Sequence, residues 1–165
     1  VIHIPLTKGQ VALVDDDDGN LVLPFAWFAV WRERSRTFYA ARQQILDGTT
    51  RTIPMHRWIV GIEDPSVEID HRNHIGTDNR RENLRICTHT DNVRNRRGWS
   101  GGFKGVRLRR SRWEARIRVA GQEIYLGRYA TSIEAAAAYN AAAQTYFGQF
   151  AFLNPLKGEV SCQQP

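Results

Sequence analysis

Apolar positions follow two different periods along the chain, and the changes of period divide it. Within residues 2–60 they come in short runs: Val11-Ala12-Leu13-Val14, Trp27-Phe28-Ala29-Val30-Trp31 and Thr37-Phe38-Tyr39-Ala40-Ala41. These runs are rich in β-branched and aromatic side chains and are separated by polar turns of Asp, Gly and Arg, which predicts a small antiparallel sheet. The run Asp15-Asp16-Asp17-Asp18, followed by Gly19-Asn20, reads as a solvated turn in preference to a metal site. Asp64-Pro65 breaks the pattern. Beyond it, residues 67–71 and 83–87 read as two strands with a polar loop between them. Thr88-x-x-Asp91, a weaker form of the capping box, then opens a short polar helix to about Arg97.

Gly98-Trp99-Ser100-Gly101-Gly102 reads as a linker. Three further strands are expected at residues 103–110, 113–119 and 122–128. Strict alternation puts Val106, Leu108, Ala115, Ile117, Ile124 and Leu126 on one face. It puts Arg107, Arg109, Arg116, Arg118 and Tyr125 on the other. Thr131-Ser132-Ile133-Glu134 is a full capping box, and the alanine-rich helix it opens stops at Gly148. Helical spacing predicts that Ala135, Ala138, Tyr139, Ala142 and Tyr146 face the sheet, the small residues allowing a close approach.

Charge sharpens this division. The net charge of +6 comes from one segment: residues 70–118 carry 14 basic and 5 acidic groups, while 1–69 and 119–165 are each slightly acidic. A concentrated basic segment suits a polyanion, and nucleic acid is the commonest such partner. Cys87 and Cys162 stand alone, which argues against a disulfide framework and a cysteine-ligated zinc site and leaves oxygen and imidazole donors for any metal. No apolar run approaches membrane-spanning length, and residues 1–10 lack the charged and apolar regions of a secretory signal. The expected setting is the cytoplasm, in the nucleoid or a phage-infected cell, with no membrane partner.

Phosphodiester hydrolysis needs a positioned water, a base for its proton and positive charge at the leaving oxygen. Asp70-His71 offers a carboxylate and an imidazole. Adjacent strand residues point to opposite faces, so the two converge on one cation only where the strand ends and twists. The runs Asp70-His71-Arg72-Asn73, Asp78-Asn79-Arg80-Arg81-Glu82-Asn83-Leu84-Arg85 and Asp91-Asn92-Val93-Arg94-Asn95 surround the pair with carboxamides. By composition alone these also read as turn formers and caps.

Ile53-Pro54-Met55-His56-Arg57, Glu68-Ile69-Asp70-His71, the run at 78–85 and Asn92-Val93-Arg94-Asn95 resemble the phage-type HNH endonucleases, whose site is a ββα-metal fold. Pro5-Leu6-Thr7-Lys8-Gly9 and Ala12-Leu13-Val14-Asp15 resemble the segment that precedes the site in those proteins. The resemblance implies that His71 is the general base, that Asp70 and Asn92 are metal ligands, and that Asn83 holds the loop and orients the histidine. It also implies a divalent metal, Mg²⁺ in the first place with Mn²⁺ as a substitute, held by few protein ligands. His74 stands where such sequences usually carry glycine in a turn, which predicts an altered loop; it reads as a solvated residue or an extra phosphate contact. His56 and His89 read as structural or DNA-facing.

Lys104-Gly105-Val106-Arg107, Trp113-Glu114-Ala115-Arg116-Ile117-Arg118, Tyr125-Leu126-Gly127, the alanine run before Tyr139 and Asn154 resemble an AP2-type DNA-binding domain over about residues 102–154. That resemblance implies a three-stranded sheet in the DNA major groove with a helix behind it. The implied contacts are Lys104, Arg107, Arg109, Arg116, Arg118 and Tyr125. Arg116 and Tyr125 depart from the residues usual at their positions, and the turn at Arg110-Ser111-Arg112 is one residue short.

The expected fold is therefore α+β. A small N-terminal antiparallel β region (1–60) and a ββα-metal site (61–97) form a nuclease domain within 1–100. A linker (98–102), an AP2-like three-stranded antiparallel sheet packed on one helix (103–155) and a tail (156–165) follow. The expected activity is metal-dependent nicking of double-stranded DNA, of a homing or phage-associated kind, targeted by the C-terminal domain. The alternative is a non-catalytic DNA-binding regulator that retains a degenerate nuclease fold.

Overall fold

A computed structural model describes residues 1–96 and 102–156. The expected linker, apart from Gly102, and the tail from residue 157, with Cys162, lie outside the described residues. The described chain is mixed α and β, with small antiparallel sheets and a long helix near its C-terminal end. It divides into two compact units, Val1–Asn92 and Val93–Pro165.

In the first unit β1 (Ile2–Pro5) pairs with β2 (Val11–Val14), and a 3-10 turn at Asp16–Asp18 leads into one helical turn, α1 (Gly19–Val22). A separate meander follows: β3 (Phe28–Arg32), β4 (Thr37–Leu46) and β5 (Thr49–Pro54). The single sheet expected over residues 2–60 is thus two sheets. The long central strand β4 and the edge strand β5 account for part of the difference. β5 reads Thr-Thr-Arg-Thr-Ile-Pro, almost without apolar residues, because an exposed edge strand has little to bury. It is reached through Asp47-Gly48, both at positive φ (50° and 72°), the hairpin turn that Asp-Gly favours.

Helix α2 (Met55–Val60) buries Met55 and Ile59, four residues apart on one face, and ends at Gly61 with φ 74°. Strands β6 (Glu68–His71) and β7 (Leu84–Cys87) form an antiparallel pair, and α3 (His89–Asn95) follows. One core joins these parts: Ile4, Ala12, Val14, Val22, Trp27, Ala40, Met55, Ile59 and Leu84. The β6–β7 loop is pinned to β2 by the bonds Leu13 N to Thr77 O (2.9 Å) and Asn79 N to Leu13 O (2.8 Å).

The reading of Asp15–Asp18 as a solvated turn is corrected at its ends. Asp18 is buried and receives Arg81 Nε and Nη2 at 2.8 and 2.6 Å. Asp15 accepts the Arg81 backbone N–H at 2.7 Å. A guanidinium from far along the chain pairs with Asp18, a pairing that no local pattern reveals.

In the second unit β8 (Val106–Arg109), β9 (Arg112–Val119) and β10 (Gln122–Tyr129) form a sheet with β9 in the middle, and α4 (Ser132–Phe147) packs on it. The Thr131–Glu134 capping box is formed in both directions (3.2 and 3.0 Å). Tyr139, Ala143 and Phe147 on α4 meet Ile117 from the sheet, with Val119, Ile124 and Leu126 beside them. The buried residues of α4 are Ala135, Ala136, Tyr139, Ala143 and Phe147, and Tyr146 is exposed, contrary to expectation. Leu108 is exposed too, near the end of the outer strand β8.

Gly105 allows the closest approach. At φ 73°, a Cβ there would lie 2.1 Å from the Tyr139 ring. Asn154, buried, exchanges bonds with the Lys104 backbone (2.7 and 3.0 Å) and with Asn140 of α4 (2.7 and 2.8 Å), fastening the lead-in of β8 to the helix. Among the described residues no helix is long and apolar enough to cross a membrane.

Candidate functional site

β6 carries the expected site residues at its end, and its alternation separates them. Glu68 and Asp70 share one face, while Ile69 and His71 share the other. On the first face Asp70 lies directly across from Arg85 of β7. Asp70 Oδ2 receives Arg85 Nε at 2.9 Å and Nη2 at 2.6 Å, and both residues are buried. Glu68 reaches α3: its Oε2 accepts from Asn92 Nδ2, and its Oε1 lies 2.6 Å from His89 Nδ1. Of the two expected metal ligands, Asn92 is thus bonded to Glu68 and Asp70 to Arg85. Sequence reasoning did not single out Glu68, although its place two residues before Asp70 on a strand marks it.

On the opposite face His71 is 4% exposed and packs edge-on against Tyr39 of β4 (ring centroids 5.4 Å) and His56 of α2 (5.1 Å). Burial pushes the His71 pKa below the ordinary histidine value. The Asn79 side chain and the charges of Asp70 and Asp78 favour the cation but do not outweigh it. His71 is therefore a neutral imidazole at neutral pH, the form a general base requires. His56 is held neutral as well: burial, with the charges of His71 and Arg57, takes its pKa down to about 3. His56 was expected to be structural or DNA-facing, and the structure places it against the histidine of the site.

Asn83 clamps the loop between the two strands. Its Nδ2 donates to Asp78 O at 2.7 Å, its Oδ1 accepts from Asn73 N at 3.0 Å, and its backbone carbonyl accepts from Arg72 N at 2.9 Å. Asn73 in turn donates to Asp78 Oδ2 at 2.7 Å, and Arg80 grips both oxygens of Asp78 at 2.8 and 2.7 Å. The desolvation cost on Asp78 is outweighed by these bonds, which hold its pKa below the ordinary value. His74 adopts the left-handed conformation itself, φ 63°, with its N–H bonded to His71 O at 3.0 Å. The tight turn is kept without the glycine, at the modest strain a histidine carries there.

The donors near Asp70 and Asn92 are carboxylate and carboxamide oxygens, the hard ligands that suit Mg²⁺. Cys87 is no competitor: it is buried, and desolvation together with the nearby acidic charges pushes its pKa up to about 11. Among the described residues no three His, Cys, Asp or Glu side chains are grouped to hold a metal ion.

The C-terminal sheet gathers the other expected contacts. Arg107, Arg109, Arg118 and Tyr125 are exposed on the face away from α4, and Arg116 is partly so. The face is organised by Glu114, whose side chain is 5% exposed. Desolvation raises its pKa, but hydrogen bonds from Arg107 and Arg116 and the charge of Arg109 prevail and hold it below the ordinary value. Lys104 is engaged elsewhere. Its Nζ donates to Arg94 O (2.6 Å) and Arg96 O (2.7 Å) at the end of α3, and burial, with the charge of Arg96, takes its pKa down to about 8. The turn between β8 and β9 holds Arg110 and Ser111 at φ 46° and 65°, a conformation ordinarily reserved for Asn-Gly.

A family model described as HNH endonuclease matches residues 55–94. The matched segment runs from α2 through β6 and β7 into α3 and carries Asp70, His71, Asn83 and Asn92. It supports a nuclease acting on DNA through this part of the chain. No curated protein matched the chain.

Proposed function

We propose that the protein is a divalent-metal-dependent endonuclease that nicks double-stranded DNA at the β6–β7–α3 site and is held on its substrate by the arginine face of the C-terminal sheet. The observation that carries this reading is His71, a buried neutral imidazole at the end of β6, within a segment similar to HNH endonucleases. Tyr39 and His56 fix the imidazole ring. His71 then accepts a proton from the attacking water as oxygen bonds to phosphorus and the bond to the leaving sugar oxygen breaks.

Asp70 and Asn92 would hold the metal, with Asn83 keeping the loop in register. The cation would supply positive charge to the leaving oxygen. One such site attacks one phosphodiester, so a single chain nicks. The sheet-on-helix arrangement of the second unit is compatible with the AP2 resemblance, and its arginines suit both guanine edges and phosphates.

Two observations favour a non-catalytic DNA-binding protein instead: the Asp70 carboxylate is engaged by Arg85 through two bonds, and β6 turns Asp70 and His71 to opposite faces. A supercoiled-plasmid assay separates the two. Mg²⁺-dependent conversion to the nicked circle, abolished by chelator and by His71→Ala, supports the nuclease. Retarded but uncut plasmid at every metal concentration supports the regulator.

A further inference from the structure

The third strand of the C-terminal sheet carries one residue too many, and this changes which side chains share a face. From Gln122 to Tyr125, β10 pairs with β9 in one register, and from Gly127 onward in another. Leu126 is the extra residue, a β-bulge beside a glycine at φ 134°. Counting by twos from Ile124 assigns Arg128 to the apolar side. The bulge places it opposite Glu114 on the arginine side.

There Arg128 Nε lies 3.3 Å from Glu114 Oε1. The other carboxylate oxygen, Oε2, receives Arg107 Nε and Nη2 (3.3 and 3.2 Å) and Arg116 Nη2 (3.3 Å), with Arg109 Nη1 at 4.0 Å. Arg116 is also held by Glu123 at 2.6 Å. Four guanidinium groups, 26–55% exposed, therefore converge on one carboxylate that is 5% exposed. With Arg110 and Tyr125 most of them line one shallow open depression.

Two glutamates against four arginines leave a positive surplus, so the array is not self-neutralised. A fixed set of guanidinium groups sharing one buried anion loses less side-chain freedom on meeting phosphates than four independent arginines would. The regular spacing of charge on a duplex is the target such a set fits.

Building on the reading of this sheet as the DNA-holding surface, we propose that Arg128 is a duplex-DNA contact and that Glu114 is the positioning residue that holds Arg107, Arg109, Arg116 and Arg128 in one array. Arg128 joins the interface only because of the bulge.

The test uses the full chain in chelator-containing buffer, so that no cutting occurs, with a fluorescent mixed-sequence duplex titrated across a salt series. Arg128→Gln is expected to weaken binding and make the slope of log K against log salt shallower by about 0.9, one phosphate contact. Glu114→Gln, nearly isosteric, is expected to tighten binding and steepen the slope by a similar amount, because charge it neutralised becomes available to phosphates. Selection from a randomised duplex pool should give Glu114→Gln a flatter consensus than the wild type.

A merely structural Glu114 would instead lower the melting temperature and weaken binding without steepening the slope, which overturns the positioning role. Should Glu114→Gln fail to fold, Glu114→Asp keeps the charge but withdraws it by one methylene. It is then expected to leave the slope unchanged and still flatten the consensus, and an unaltered consensus overturns the role. If Arg107→Gln weakens binding and Arg128→Gln does not, the inference about Arg128 fails while the interface stands. If neither affects binding, the interface reading itself fails.

Discussion

Around β6 and β7 the arginines meet carboxylates nearly one to one: Arg85 with Asp70, Arg81 with Asp18, and Arg80 with Asp78 and Glu82. On the C-terminal sheet four arginines share Glu114. The first arrangement leaves little charge to offer a ligand. It uses its arginines to hold the buried carboxylates Asp70, Asp18 and Asp78 at fixed places, where an unpaired charge would be costly. The second keeps guanidinium heads exposed and unbalanced. Stoichiometry of pairing, more than the number of arginines, therefore distinguishes a framework for chemistry from a surface for a polyanion.

The comparison breaks most visibly at the proposed base. His71→Ala is expected to lower the nicking rate about 10²–10⁴-fold while leaving duplex affinity unchanged; a parallel loss of affinity would mean that the two units do not divide the work. Next in size, Arg85→Ala leaves Asp70 buried without its guanidinium and is expected to cost about 3–5 kcal/mol in chemical denaturation. Arg107→Ala, on the exposed array, should leave the denaturation midpoint in place. It should instead weaken DNA binding by about 1–3 kcal/mol if it holds a base, or give a shallower salt slope if it holds a phosphate. Equal destabilisation by Arg85→Ala and Arg107→Ala would erase the contrast.

The remaining test concerns protons. The folded protein holds His56 neutral down to about pH 3, whereas the unfolded chain protonates it near the ordinary histidine value. Stability contributed by the neutral ring is complete above that value and falls as pH drops between the two. The expected slope is about 1.4 kcal/mol per pH unit, with His71 adding in the same direction. Denaturation midpoints measured from neutral to acid pH should fall less steeply in His56→Phe.

Much of the second unit was legible in the chain. The Thr131–Glu134 capping box and the alternation of arginine with apolar residues are local patterns, and the structure keeps both. The bulge at Leu126 was not foreseen, although a glycine inside a strand is its usual mark, and the faces read by alternation did not include Arg128. Lys104 matched a DNA-binding pattern, but its ammonium is taken by the carbonyls of Arg94 and Arg96, a contact that depends on where α3 ends.

In the first unit the strand, loop, strand and helix order was readable from polarity. The packing of His56 on His71, the link from Glu68 to Asn92 and the pairing of Asp18 with Arg81 were not. Each joins residues from different elements, and no periodicity within one element encodes them.

The shared core of the first unit has a consequence for anyone wishing to transplant the nuclease motif. Of its nine buried residues, only Met55, Ile59 and Leu84 fall within the segment similar to HNH endonucleases; the other six lie upstream. The β6–β7 loop also takes two of its backbone bonds from Leu13. A cassette cut at residue 55 would travel without most of its hydrophobic support and with its loop untethered. The smallest portable unit is the one that starts at β1, where the strands that shelter the motif begin.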